Sequence, residues 1–248
     1  MRRFYLKNTA AIGQSSSIQG PDARHIRTVL RMKPGDHLLV FDGQGNDFEA
    51  EIEAFGSHEI QIVPLKKMQL HSDSPAQITI AQAMLKGKKM DLLARQITEL
   101  GITRWIPFMS ERAVPTLNID KQNKRLLRWQ TIMVESLKQC RRSRLPQIDA
   151  LVGFEQALAA AESADLKLIF WEEERQTLGD VLESAPKACK NVFAVLGPEG
   201  GFSGAEIETA KSLGYRSVSL GPRILKAETA TIAVCSILQY HFGDLGGK

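Results

Sequence analysis

The chain has 248 residues, long for one compact domain and ample for two. Apolar residues make up 43% and charged residues 24%, a globular balance that excludes a disordered or fibrous protein. No eighteen-residue apolar run offers a membrane span, and Met1–Asn8 carries no apolar signal core, so a cytoplasmic protein is expected.

The net charge is +4, but the cations are unevenly placed. Residues 1–33 hold seven Lys/Arg and one acid, Asp22, and residues 121–144 hold eight and one, Glu135. Either cluster alone is compatible with a solvated face; two together point to a phosphate-backbone partner. Cys140, Cys189 and Cys235 form no C-x-x-C pair, and the five histidines form no H-E-x-x-H motif. No metal site is expected, and the thiols are expected to be incidental.

In chain order, residues 2–7 form a first strand, and Asp22–Arg31 a helix with Arg24, Arg27 and Arg31 at i, i+3 and i+7, on one face. His37–Phe41, Phe48–Phe55 and Ile60–Val63 are strands. The second alternates apolar Phe48, Ala50, Ile52 and Ala54 with three glutamates, as a half-buried antiparallel strand does. The polar stretch His71–Pro75 is the expected linker. Domains are therefore placed at 1–71 and 74–248, the first a small basic β domain.

Beyond the linker, strands and helices alternate. Strands are expected at Ile78–Ala83, Trp105–Met109, Leu166–Trp171, Val192–Leu196 and Val218–Leu220. Helices are expected at Lys88–Leu100, about Lys121 to Cys140, about 204–213 and about 228–240. This alternation implies an α/β domain with a parallel sheet covered on both faces.

Two strand-ending loops carry the chemistry. Leu196-Gly197-Pro198-Glu199-Gly200-Gly201-Phe202-Ser203 and Leu220-Gly221-Pro222-Arg223-Ile224-Leu225-Lys226-Ala227-Glu228-Thr229-Ala230 each open Leu-Gly-Pro after an apolar strand. Their starts are 24 residues apart, one helix and one strand, which places them side by side at the carboxyl end of the sheet, where open α/β sheets bind ligands. Glycines allow close backbone approach and positive φ, and prolines stiffen the bends. The backbone groups of such loops can read an adenine edge, and Glu199 can face a cationic ligand. Ser203 and Glu206 form a capping box that starts the next helix. G-x-G-x-x-G, Walker A and G-x-S-x-G sequences are all absent, which disfavours nicotinamide, nucleotide-hydrolysing and hydrolase sites.

The two loops closely resemble the signatures of RsmE-type ribosomal RNA methyltransferases of the SPOUT class. So do Lys86–Asp91, Thr98–Ile102, Lys138–Arg142 and Arg31–Asp36, and the resemblance covers nearly the whole chain. It implies a PUA-like β-barrel followed by a trefoil-knotted α/β domain, a homodimer, and S-adenosylmethionine (SAM)-dependent methylation of uracil N3 in small-subunit (16S) ribosomal RNA. One departure is visible: Lys226-Ala227 stands where the family pattern has Arg-Thr before Glu-Thr-Ala.

On that basis SAM is expected to meet Leu196, Gly197, Pro198, Glu199, Gly201, Leu220, Gly221, Leu225, Thr229 and Ala230, with Phe170 and Trp171 either a further apolar wall or plain core. Arg223 and Lys226 are the first candidates to stabilise charge on the base. Glu228 is either catalytic or a structural cap of the last helix, and Arg112 is a weaker candidate. Arg2, Arg3, Arg24, Arg27, Arg31, Arg141 and Arg142 are expected to hold RNA. Two rivals remain at this stage: a SPOUT enzyme acting on transfer RNA or a ribose 2′-hydroxyl, and a non-catalytic RNA-binding factor.

Overall fold

The computed structural model describes residues 3–7, 11–68, 73–113, 119–186 and 188–246. The chain gathers into two compact units. One is Met1–Asp73 together with Val134–Leu145; the other is Ser74–Met133 together with Pro146–Lys248.

The first unit contains β1 (Arg3–Tyr5), β2 (Ser16–Gln19), α1 (Gly20–Arg24), β3 (His37–Phe41), β4 (Asp47–Phe55) and β5 (Glu59–Met68). They form one sheet in the order β1-β3-β4-β5-β2, with β1–β3 parallel and the remaining pairs antiparallel. β1 and β2 stand at the two ends of this order, and no ladder joins them among the described residues. The expected alternation in β4 holds in part: Phe48, Ala50 and Ile52 are buried, but Ala54 is exposed past a register shift between Ile52 and Ala54. β2 was not expected, because its Ser16-Ser17 start looks like a polar turn; Ile18 alone anchors it in the core.

The helix expected over Asp22–Arg31 is shorter and differently wound. Pro21 opens α1, and the chain continues as a π-helical turn over His25–Val29, closed by the Leu30 amide on the His25 carbonyl. Widening the turn breaks the i, i+3, i+7 alignment. Arg31 then leaves the helix at φ 52°, so the three arginines do not share a helical face.

The second unit contains β6 (Gln77–Ala83), α2 (Lys89–Glu99), β7 (Arg104–Met109), α3 (Ile119–Cys140, whose C-terminal part lies in the first unit), β8 (Gln147–Ile148), β9 (Val152–Gly153), α4 (Phe154–Ala159), β10 (Leu166–Phe170), α5 (Leu178–Glu183), β11 (Asn191–Leu196), α6 (Gly204–Ser212), β12 (Arg216–Val218) and α7 (Ala227–Phe242). The sheet runs β12-β10-β11-β6-β7-β8, with β9 also on β7, and every pair is parallel. Its strands are near-continuous apolar runs, as burial on both faces requires.

The linker expected at His71–Pro75 is tied down where it is described. Ser74 is buried and donates to Gln239 Oε1 at 2.8 Å, because α7 leaves that amide oxygen needing a partner inside the second unit. His71 and Ser72 lie outside the described residues.

Candidate active site

β11 and β12 end at the same edge of the parallel sheet, but they are not neighbours: β10 lies between them. The two Leu-Gly-Pro bends therefore flank the end of β10 instead of touching side by side, and Phe170 and Trp171 fill the gap. A cavity of about 690 Å³ opens there. It is lined by the first bend (Leu196–Glu199, Gly201, Phe202), the stretch after β10 (Phe170–Glu172, Glu174, Arg175, Thr177), the second bend (Val218–Ala227), Ala230 and Lys89. This is the size range of small-molecule and cofactor sites.

Each wall has a local cause. Phe202 is 2% exposed and stacks on Phe108 at 6.4 Å with parallel rings, which roots the first bend in the core. Ser203 caps α6: its hydroxyl accepts from the Glu206 amide, and Glu206 Oε2 accepts from the Ser203 amide at 2.9 Å. Arg112, a weaker sequence candidate, instead braces this bend, donating to the carbonyls of Gly200 (3.1 Å) and Phe202 (3.3 Å). The second bend is stitched to the stretch after β10. The Trp171 amide donates to the Val218 carbonyl (3.0 Å), Leu178 to Ser219 (3.0 Å) and Ser219 to Gln176 (2.8 Å).

Gly201 and Gly221 stand at φ 67° and 100°, in the left-handed region that other residues adopt only at a cost. A Cβ on Gly201 would also overlap the Glu172 carboxylate. Gly201→Ala is therefore expected to lower stability by about 1–2 kcal/mol. Gly204→Ala, in open space at the start of α6, is expected to be neutral or slightly stabilising. Thermal unfolding of the two variants checks the contrast.

Of the expected cofactor residues, Leu196, Gly197, Pro198, Glu199, Gly201, Leu220, Gly221, Leu225 and Ala230 line the cavity; Thr229 does not. α7 starts so that Ala227 and Ala230 face the cavity, and Thr229, one residue off that stripe, is exposed. Phe170 and Trp171 are wall and core at once: Phe170 is 8% exposed and Trp171 packs on the apolar core, and both line the cavity. Arg223 and Lys226 also line it, with no hydrogen-bond or ionic partner for either side chain among the described residues.

The acids differ from expectation. Glu199 Oε1 accepts from the Lys86 amide at 3.0 Å and lies 3.1 Å from Lys89 Nζ. Burial alone would raise the Glu199 carboxyl, but that amide and Lys89 outweigh it and hold it below its ordinary value. Glu228 Oε2 lies 3.2 Å from the same ammonium. Glu228 does not line the cavity, and no side chain caps α7, so it is neither a cap nor a group facing a ligand there; it sits in the first turn, where a negative charge suits the helix dipole. The ion pairs of Lys89 with both glutamates, Glu199 first, hold its ammonium above the usual lysine value.

Two functional positions were not singled out from the sequence. Lys89 ties the starts of α2 and α7 to the first bend; its only signal was membership of the Lys86–Asp91 family segment. Gln82, fully buried at the end of β6, donates to the Gly197 carbonyl at 3.3 Å and accepts from Thr231 Oγ1 at 2.5 Å, linking the first bend to α7. A polar residue in an otherwise apolar strand was its signal.

The expected RNA contacts divide. Arg3 is 8% exposed and pairs with buried Asp47 at 2.5 Å, so it is a structural ion pair and not an RNA contact. Arg27 is likewise engaged: its guanidinium donates to the carbonyls of Gly56, Ser57 and Glu59 and lies over Phe55. Arg142 is partly withdrawn, 3.8 Å from Asp73. Arg24, Arg31 and Arg141 are exposed with no side-chain partner among the described residues, and Arg2 lies outside them. The buried Cys189 and Cys235 thiols are pushed up by desolvation and so are not activated. Among the described residues no group of His, Cys, Asp or Glu gathers to hold a metal, and no helix is long and apolar enough to cross a membrane.

Sheet, bends and cavity define a class. The RNA methyltransferase domain family matches residues 72–239, and the RNA methyltransferase PUA domain family matches residues 18–65. The chain is 32% identical to the ribosomal RNA small subunit methyltransferase E of Buchnera aphidicola from Schizaphis graminum, over 98% of this chain and 97% of that one. It is 28% identical to the Bacillus subtilis protein of the same name, over 100% and 99%. A crystal structure of the Neisseria gonorrhoeae ribosomal RNA small subunit methyltransferase E, bound to S-adenosyl methionine, superposes with a TM-score of 0.88 at 31% identity, covering 99% of both chains. The chain belongs to the ribosomal RNA small subunit methyltransferase E family.

Proposed function

We propose that this protein methylates N3 of a uridine in small-subunit ribosomal RNA with SAM as methyl donor. The observation that carries this is the cavity between the two bends, edged by the unpartnered cations Arg223 and Lys226. The cavity suits SAM: aromatic and aliphatic faces from Phe170, Trp171, Leu196 and Leu225 fit an adenosine, and the space left by the missing Cβ of Gly201 opens onto the Glu172 carboxylate. The bound cofactor supplies an electrophilic methyl on sulfur. Neutral uracil N3 is a poor nucleophile, and Arg223 and Lys226 favour its deprotonated form by facing the negative charge that develops on the uracil oxygens. Positioning by the two stiff bends supplies much of the remaining rate.

We further propose that residues 1–71 form the RNA-holding domain and 74–248 the methyltransferase domain. The second domain carries a trefoil knot, supported by the stitching of the second bend to the 171–178 stretch, and pairs as a homodimer in the cytoplasm. Exposed Ile224, Ile237 and Tyr240 are apolar surface suited to such a partner. Arg24, Arg31 and Arg141 hold RNA phosphates. RNA affinity is therefore expected to fall steeply with salt, and each Arg→Ala change among these three to flatten the log–log slope by about 1. Filter binding across a salt series measures this, with Arg27→Ala expected to leave the slope unchanged.

The function itself is tested by incubating small subunits lacking the modification with methyl-labelled SAM and identifying the product nucleoside by mass spectrometry. N3-methyluridine is the expected product. A ribose-methylated nucleoside, or no incorporation, overturns the proposal.

A further inference from the structure

We propose that Glu172 is the carboxylate that receives the positively charged methionine end of the cofactor, the role the sequence suggested for Glu199. This rests on the SAM reading above. Three carboxylates line the cavity: Glu172, Glu174 and Glu199. Glu199 is already matched by Lys89 at 3.1 Å and by the Lys86 amide. Glu174 is matched by Lys211 Nζ at 3.3 Å and by the Arg175 amide at 2.9 Å. Glu172 alone has no hydrogen bond or ion pair among the described residues, although Arg175 and Arg223 line the same cavity.

Its place explains the glycine beside it. Glu172 follows Trp171 at the end of β10, and its carboxylate lies where a Cβ on Gly201 would otherwise stand. The first bend thus makes room for one unmatched, solvent-exposed negative charge on the cavity lining, beside Trp171. A carboxylate with no partner of its own is free to accept charge-assisted hydrogen bonds from a cation that enters the cavity. An α-ammonium beside a sulfonium has that chemistry; a neutral nucleoside does not.

Isothermal calorimetry tests this with the full chain, using SAM and 5′-methylthioadenosine, which keeps the adenosine and lacks the charged amino-acid end. Glu172→Gln is expected to weaken SAM about tenfold to a hundredfold and 5′-methylthioadenosine by less than about twofold. Glu173→Gln, an exposed neighbour outside the cavity, is expected to bind SAM as the parent does. The proposal is overturned if Glu172→Gln binds SAM normally, if it loses both ligands equally, or if Glu173→Gln matches its loss. A parent protein that binds no SAM would instead refute the cofactor reading itself, and this inference with it.

Discussion

Arg3→Met is expected to destabilise the first unit by about 3–5 kcal/mol, the range for removing one partner of a buried ion pair. Arg3 is enclosed by Asp47 Oδ1 (2.5 Å), Ser143 Oγ (2.9 Å) and the carbonyls of Leu137 and Arg142 (3.2 Å each), with Phe41 beneath its guanidinium. Asp47 is 3% exposed, so without Arg3 its side chain is left desolvated with Ser143 as its one remaining side-chain partner among the described residues. β1 is three residues long and, among the described residues, pairs with β3 alone; the ion pair and the Ser143 contact fasten it to the start of β4 and to the chain after α3. The three tryptophans all lie in the second unit, so the loss is best read by hydrogen exchange of the β3 and β4 amides. Arg3→Met with Asp47→Leu is expected to recover part of it, because no charge is then stranded. A merely RNA-binding Arg3 would leave the exchange unchanged.

Arg223→Ala is expected to lower the rate of methyl transfer by about a hundredfold to a thousandfold, the usual cost of losing one donor aimed at developing charge. Arg223 is exposed in the second bend, lines the cavity and has no partner among the described residues, so its charge is available to a bound base. Arg223→Lys is expected to recover only part of the rate, since a point charge replaces a planar fork. Glu228→Gln is expected to cost less, because Glu228 faces Lys89 and not the cavity. Single-turnover rates with saturating SAM and RNA separate these effects from binding. An Arg223→Ala rate within threefold of the parent would remove Arg223 from the chemistry.

Much of this was legible beforehand because it is written in local pattern. The apolar runs of β6, β7, β10 and β11, the Ser203–Glu206 cap and the two Leu-Gly-Pro bends all appear where periodicity and turn chemistry put them. What escaped depends on long-range partners. Arg3 and Arg27 look like surface cations until Asp47, far along the chain, and the 56–59 carbonyls are brought to them. Glu199 looks free until α2 presents Lys89. Strand order is equally invisible locally, so the insertion of β10 between the bends, and with it the place of Glu172, emerged only in three dimensions. The π-helical turn that displaced Arg31 has no periodic signature, since its widening involves only one turn.

The central claim is that one cavity, walled by the two bends and the end of β10, takes the methyl donor. A crystal structure of this protein soaked with SAM tests it directly. Density for the cofactor between Leu196–Phe202, Phe170–Glu172 and Leu220–Lys226 is the predicted result. Ordered cofactor elsewhere on the chain, with this cavity holding only solvent, would contradict it.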